Sequence, residues 1–183
     1  MRIIAGTKRG QVILAPKGEN TRPTLDRVKE SLFGIIQFEI EGKHVLDLFA
    51  GSGSLGFEAL SRGASFAMLN DISAESARII KQNAEKLGFA ECVDITQLDY
   101  SVATREAKRR KKRFDIVFLD PPYTAGIYAN AVDALIEADV LNDNCIVVAE
   151  HDKKRPPDIS SLNLDDRRLY GDVGISIYRG GSI

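Results

Sequence analysis

Leu46-Asp47-Leu48-Phe49-Ala50-Gly51-Ser52-Gly53-Ser54-Leu55-Gly56 decides the fold. The stretch sets G-x-G-x-x-G between an apolar, strand-like run (Val45 to Ala50) and a helical one (Leu55 to Arg62). In that context Gly51 and Gly53 let a ligand come close to the backbone, and Gly56 lets the helix pack tightly on a sheet. Downstream the alternation continues. Phe66 to Asn70 reads as a strand, Ser73 to Gly88 as a helix N-capped by Ser73, and Val93 to Leu98 as a strand. A basic helix over Val102 to Lys112, a strand over Phe114 to Leu119, a helix over Ile127 to Ala138 and a strand over Cys145 to Ala149 follow. Strands alternating with helices predict an α/β fold with a parallel sheet. After Pro156-Pro157 the pattern changes. Only Gly171-Asp172-Val173 separates the strand-like runs Arg167 to Tyr170 and Gly174 to Tyr178, too little for a crossover helix, so this pair is antiparallel.

Upstream, Arg2 to Ala5 and Gln11 to Leu14 flank Gly6-Thr7-Lys8-Arg9-Gly10 as a β-hairpin with a cationic tip. A helix N-capped by Thr24 follows, with Leu25, Val28, Leu32, Phe33 and Ile36 at helical spacing, and is expected to end near Gly42. The 183 residues suit one domain over 1–183, with 1–42 as an N-terminal hairpin and helix extension. At 44% hydrophobic and 28% charged residues the chain is globular rather than disordered. No apolar run approaches the ~18 residues of a membrane span, and Met1 to Gly6 lacks a signal-peptide core, so a soluble, cytoplasmic monomer is expected. Cys92 and Cys145 read as buried thiols, and His44 and His151 stand at no metal-ligand spacing, so no metal is expected. The net charge of -1 conceals an asymmetry: residues 1–30 carry seven basic and three acidic side chains, and residues 105–113 seven and one. Two basic patches on a near-neutral chain point to a polyanionic partner.

Three acids follow the strands near the glycine loop. Asp71, 20 residues beyond Gly51, is placed to accept hydrogen bonds from ribose hydroxyls. That spacing alone would fit NAD equally well. Asp47, however, adds negative charge where a pyrophosphate would sit, and suits instead a cationic amino-acid group. S-adenosylmethionine carries an ammonium and a sulfonium and no phosphate. Asp99 could accept from the adenine amino group, with Ile72 packed on the base, or cap the helix that follows; one carboxylate can do both.

The strand Phe114 to Leu119 ends in Asp120-Pro121-Pro122-Tyr123. Two prolines fix two φ angles and remove two donors, leaving the Asp120 carboxylate and the Pro121 carbonyl as rigid acceptors. An exocyclic amino group has two N–H bonds to give them. Acceptors on both favour a pyramidal nitrogen and aim its lone pair at a methyl carbon; Asp120 can take the surplus proton and Tyr123 can stack on the base.

At these residues the chain resembles the class I S-adenosylmethionine-dependent methyltransferases, and within them the RsmD family, bacterial enzymes that methylate the guanine N2 amino group in small-subunit (16S) ribosomal RNA. The likeness spans nearly the whole chain, from Arg2-Ile3-Ile4-Ala5-Gly6 through Arg22 to Glu30, Asp47 to Arg62 and D-P-P-Y to Tyr170-Gly171-Asp172. It implies a Rossmann-like, mostly parallel seven-stranded sheet with an antiparallel last strand. It implies cofactor contacts at Asp47, Gly51, Gly53, Asp71 and Asp99, with Phe49, Ala50, Ser52, Ile72 and Tyr100 beside them and Thr24 at the methionine end. Catalysis falls to Asp120, Pro121, Pro122 and Tyr123, and the RNA backbone to Lys8, Arg9, Lys17, Arg22 and Arg27. The basic run Lys108 to Arg113, across the sheet from the expected active-site edge, ranks below the hairpin as an RNA contact.

DNA adenine-N6 or cytosine-N4 methylation is the nearest enzymatic alternative, although no segment is long enough for a DNA-recognition module. A nonenzymatic RNA-binding assembly protein is the alternative of another class. Asp71 and Asp120 count against it, because binding alone requires neither.

Overall fold

The computed structural model describes residues 1–16, 23–122 and 127–180, with only the backbone described at residues 23–25. Seven strands form one sheet: β1 (His44–Asp47), β2 (Phe66–Asn70), β3 (Val93–Thr96), β4 (Phe114–Leu119), β5 (Leu141–Asp152), β6 (Asn163–Tyr170) and β7 (Val173–Arg179). Their order is β3-β2-β1-β4-β5-β7-β6. β1 to β5 run parallel, while β7 is antiparallel to both β5 and β6. The expected reversed last strand is therefore present. Central strands buried on both faces explain the continuous apolar runs, such as Phe114 to Leu119.

Five helices cover the two faces: α1 (Pro23–Ile35), α2 (Ser54–Ser61), α3 (Ala74–Leu87), α4 (Tyr100–Arg109) and α5 (Ile127–Glu137). On one face Val28, Leu32 and Phe33 of α1, Phe57 and Leu60 of α2 and Ile80 and Leu87 of α3 meet Val45, Leu69, Phe118 and Val148. On the other, Ala103 and Ala107 of α4 and Ala131, Val132 and Leu135 of α5 meet Leu46, Met68, Val117 and Val147. α3 begins at the Ser73 cap and ends at Gly88, as its sequence predicts. No helix among the described residues is long and apolar enough to cross a membrane.

Several boundaries differ from expectation. The first helix starts at Pro23, whose fixed φ and missing N–H suit the first helical position, so Thr24 lies inside the helix and is not its N-cap. It ends at Ile35 rather than near Gly42; a 3-10 turn, Gln37–Glu39, follows, with Ile36 and Ile40 buried on either side of it. The N-terminal hairpin is held by one bridge, Arg2 to Val12, and by bonds from Ile3 N to Gln11 O and from Gly10 N to Ile3 O. Cys92 lies in a 3-10 turn, half-buried, and only Cys145 is buried in a strand. His151 is buried between Ser176 Oγ (2.9 Å) and its neighbour's carbonyl, and burial lowers its pKa.

Candidate active site

The strand order reverses between β1 and β4, each connected to helices on opposite faces, and a crevice opens there at the strands' carboxyl ends. A cleft of about 860 Å³ occupies it. Asp47, Phe49, Ala50, Gly51, Ser52, Asp71, Ile72, Asp99 and Tyr100 line one side, and Asp120, Pro121, Pro122 and Glu150 the other. Gly53 sits behind this lining as the residue before α2, with φ +80, where a side chain would strike the Phe57 ring. The side chain of Thr24, together with Lys17, Arg22 and Tyr123, lies outside the described residues.

Asp47 is the most constrained acid. Its side chain faces the glycine loop, where Oδ2 accepts from Gly56 N at 3.1 Å. That approach requires Gly56, because a Cβ there would run into Leu69. Oδ1 is buried with no hydrogen-bond partner among the described residues. Burial pushes the carboxyl up to about 7; the Gly56 bond opposes this and the nearby Asp71 charge adds to it. A cationic donor in the cleft would satisfy the orphaned oxygen and restore the charge.

Asp71 ties the loop together. Its Oδ2 accepts from Gly51 N and its Oδ1 from Ser73 N, both at 2.8 Å. Asp99 caps α4 through Oδ1, which accepts from Ser101 N at 2.9 Å and Ser101 Oγ at 2.7 Å. No bond to Asp99 Oδ2 is formed among the described residues, so the capping role leaves that oxygen for a ligand. Ile72 is 69% exposed beside them, an apolar surface facing the cleft. Asn70 has no role readable in the sequence. Buried at the end of β2, it donates to Leu48 O and Leu98 O, both at 3.1 Å, and accepts from Thr96 Oγ1 (2.9 Å) and Leu98 N (3.3 Å). It fixes the ends of three strands at the spacing the loops need.

On the opposite side, Pro121 is buried and Pro122 exposed, with Asp120 at the rim. Glu150, on β5, is half-buried in the cleft wall, and burial pushes it up to about 7. Its backbone carbonyl accepts from the Tyr128 hydroxyl at 2.6 Å, which anchors the strand end to α5.

The N-terminal segment closes one end of the cleft through Met1 and Pro16. Lys29, also lining the cleft, donates to Arg2 O (2.6 Å) and Ser54 Oγ (3.1 Å) and pairs with Glu58 at 3.4 Å. Burial lowers its pKa against the raising effect of Glu58. Glu58, fully buried, also accepts from Ile4 N and Ala5 N and pairs with Arg62, so the hairpin is pinned to α1 and α2. Lys8 and Arg9 are not brought to the cleft. The hairpin tip packs on the far end of α2, where Lys8 N donates to Ser61 Oγ and the Lys8 ammonium lies over the Phe89 ring. Arg27 is exposed on α1. The run Lys108 to Arg113 lies at the end of α4 away from the cleft and is partly paired, Arg109 and Arg110 with Glu106 and Arg113 with Asp139.

Sheet order, reversed last strand and a crevice at the switch point define a class I methyltransferase fold. The family described as "Conserved hypothetical protein 95" matches residues 1–179, and the chain belongs to this family, the RsmD family. YlbH of Bacillus subtilis is 36% identical over 181 residues, covering 98% of each chain. Ribosomal RNA small subunit methyltransferase D of Haemophilus influenzae is 38% identical over 160 residues, covering 85% of this chain and 81% of that one. Among solved structures, yhhF from Escherichia coli superposes with a TM-score of 0.86 at 27% identity, covering 99% of this chain and 98% of that one. SMU.776, solved in complex with SAH, shares the fold at 15% identity and a TM-score of 0.71, over 87% of this chain and 50% of that one.

Proposed function

We propose that this protein transfers a methyl group from S-adenosylmethionine to the exocyclic N2 amino group of a guanine in small-subunit ribosomal RNA, acting as a cytoplasmic monomer. The observation that carries this reading is the pairing, in one cleft, of an orphaned buried carboxylate oxygen on Asp47 with the proline-fixed acceptors of Asp120 and Pro121. The names of the Haemophilus influenzae and Escherichia coli relatives, both ribosomal RNA small subunit methyltransferase D, support the substrate class.

When bound, S-adenosylmethionine supplies an electrophilic methyl group on a sulfonium. Asp47 Oδ1 would accept from its ammonium, the remaining lone pairs of Asp71 from ribose hydroxyls, and Asp99 Oδ2 from the adenine amino group. Ile72 packs against the adenine. Asp120 and the Pro121 carbonyl accept the two N–H bonds of the target amine. This would free its lone pair to point along the cleft, and Asp120 would hold the proton released as the N–C bond forms and the methyl–sulfur bond of the sulfonium breaks. Tyr123 offers a stacking face for the base, and Lys8, Arg9 and Arg27, with Lys17 and Arg22, hold RNA phosphates. The chemistry needs mainly positioning, which can contribute ~7–11 kcal/mol to the rate.

The test offers methyl-labelled donor to naked small-subunit RNA, assembled small subunits and duplex DNA. Label is expected in RNA, free or particle-bound. Label confined to DNA overturns the substrate assignment, and absence of label in all three overturns the activity.

A further inference from the structure

Among the described residues five acids line the cleft; in the proposed reaction Asp47, Asp71 and Asp99 serve the cofactor and Asp120 the amine. Glu150 is left over. Its position follows from the sheet register: β4 and β5 run parallel with Leu119 opposite Ala149, so the next pair beyond the ladder is Asp120 and Glu150. Side chains alternate along a strand. Phe118 and Val148 point into the core on the α1 side, so Asp120 and Glu150, each two residues on, project toward that same side, where Asp47 also points. Neighbouring parallel strands lie ~4.8 Å apart, about the separation between adjacent hydrogen-bonding groups along the edge of a base plus the width of one carboxylate.

The donors of a guanine edge match this arrangement in number. Guanine presents three hydrogens in a row, two on N2 and one on ring N1, whereas adenine beside its N6 amine and cytosine beside its N4 amine present a bare ring nitrogen, an acceptor. With Asp120 and the Pro121 carbonyl on the amine, the next atom along the edge falls to the neighbouring strand. Resting on the amine-methylating reading, we propose that the Glu150 carboxylate accepts a hydrogen bond from the N1–H of the target guanine and thereby selects guanine over adenine and cytosine. A carboxylate facing a bare ring nitrogen leaves both lone pairs opposed, so the wrong bases are repelled as well as unrewarded. The half-buried position makes the contact count, since a charged hydrogen bond shielded from water discriminates more than an exposed one. The Tyr128 bond to the Glu150 carbonyl keeps the acceptor at a fixed height beside Asp120. Burial raises the Glu150 pKa, and an N–H donor at its oxygen favours the charged, accepting form.

The test uses small-subunit RNA, in whichever form accepts the label, with guanine or 2-aminopurine at the methylated position. 2-Aminopurine keeps the N2 amine and turns N1 into an acceptor. Wild type is expected to prefer guanine in kcat/KM by roughly ten- to hundred-fold, the factor carried by a hydrogen bond to a charged group. Glu150→Gln, whose amide can donate to the bare N1, should bring the ratio near one or invert it, with SAH affinity unchanged; Glu150→Ala should lose the preference without gaining 2-aminopurine activity. A wild-type ratio below two, or a ratio unmoved by Glu150→Gln, overturns this proposal while leaving the N2-methylation reading standing. If Glu150→Gln does not fold, the wild-type ratio and Glu150→Ala decide. Failure of wild type to methylate N2 in either RNA overturns the broader reading together with this one.

Discussion

The two sides of the cleft are built by different means. On the side formed by β1, β2 and β3, each acid is tied to backbone N–H groups: Asp47 to Gly56, Asp71 to Gly51 and Ser73, and Asp99 to Ser101. On the side formed by β4 and β5, strand register and two prolines set where the backbone carries Asp120 and Glu150, with Asp120 at the rim. Tying acids to the backbone fixes a shape for a ligand of constant structure. Proline and register fix direction, which a transferring centre needs, while leaving the rim open for a large polymer.

If the division is real, changes on one side leave the other intact. The largest effect is expected from Asp120→Ala: kcat should fall about 10²–10⁴-fold, the range for loss of a positioned acceptor, while SAH affinity by calorimetry stays within a few-fold. Weakened SAH binding of the same order would erase the distinction between the sides.

Asp47→Asn sharpens the comparison from the opposite side. SAH should bind roughly ten- to hundred-fold more weakly, through loss of a charged hydrogen bond. Stability should move the other way. Because burial raises the Asp47 pKa from 3.8 to about 7, the folded protein holds a proton that the unfolded chain has released between those values. The charged form therefore costs the fold progressively more as pH rises from about 4 to 7, by ~4 kcal/mol at most. Asn keeps the Gly56 bond without that cost. The variant should melt at higher temperature at pH 8 and show no gain near pH 4; a gain independent of pH would contradict the burial argument.

Asp71→Ala is expected to weaken SAH by ~1–3 kcal/mol and, unlike Asp47→Asn, to speed hydrogen exchange at the Gly51 and Ser73 amides that it holds. Unchanged exchange would assign Asp71 to the ligand alone. The smallest effect belongs to Arg9→Ala, on the hairpin tip far from either side. The slope of log KM against log salt should drop by ~0.7–0.9, as one phosphate contact predicts, with kcat unaltered. An unchanged slope removes Arg9 from the RNA surface.

Much of this was legible because glycine, proline and acid spacing carry local geometry. The glycine loop, the Ser73 cap and β4 follow from short-range rules, and D-P-P sits at a strand end as its apolar run predicts. What escaped depends on partners distant in sequence. Asn70 looks out of place in a strand until Leu48, Thr96 and Leu98 are seen around it. Glu58 sits on an ordinary helical repeat, and only the fold brings Lys29 and the Ile4 and Ala5 amides to it, 29 to 54 positions away. Glu150 was missed by one residue. The apolar run stops at Ala149, but antiparallel pairing with β7 carries β5 on to Asp152 and places a charged residue in the wall. The cationic hairpin was readable, yet its direction along α2, which takes Lys8 and Arg9 away from the cleft, was not.

The central claim is that the acceptor side grips a guanine amine. Digesting methylated small-subunit RNA to nucleosides and identifying the labelled product by mass spectrometry tests it most directly. N2-methylguanosine as the labelled nucleoside is the predicted result; label on a ring nitrogen, on adenine N6 or on ribose would contradict it.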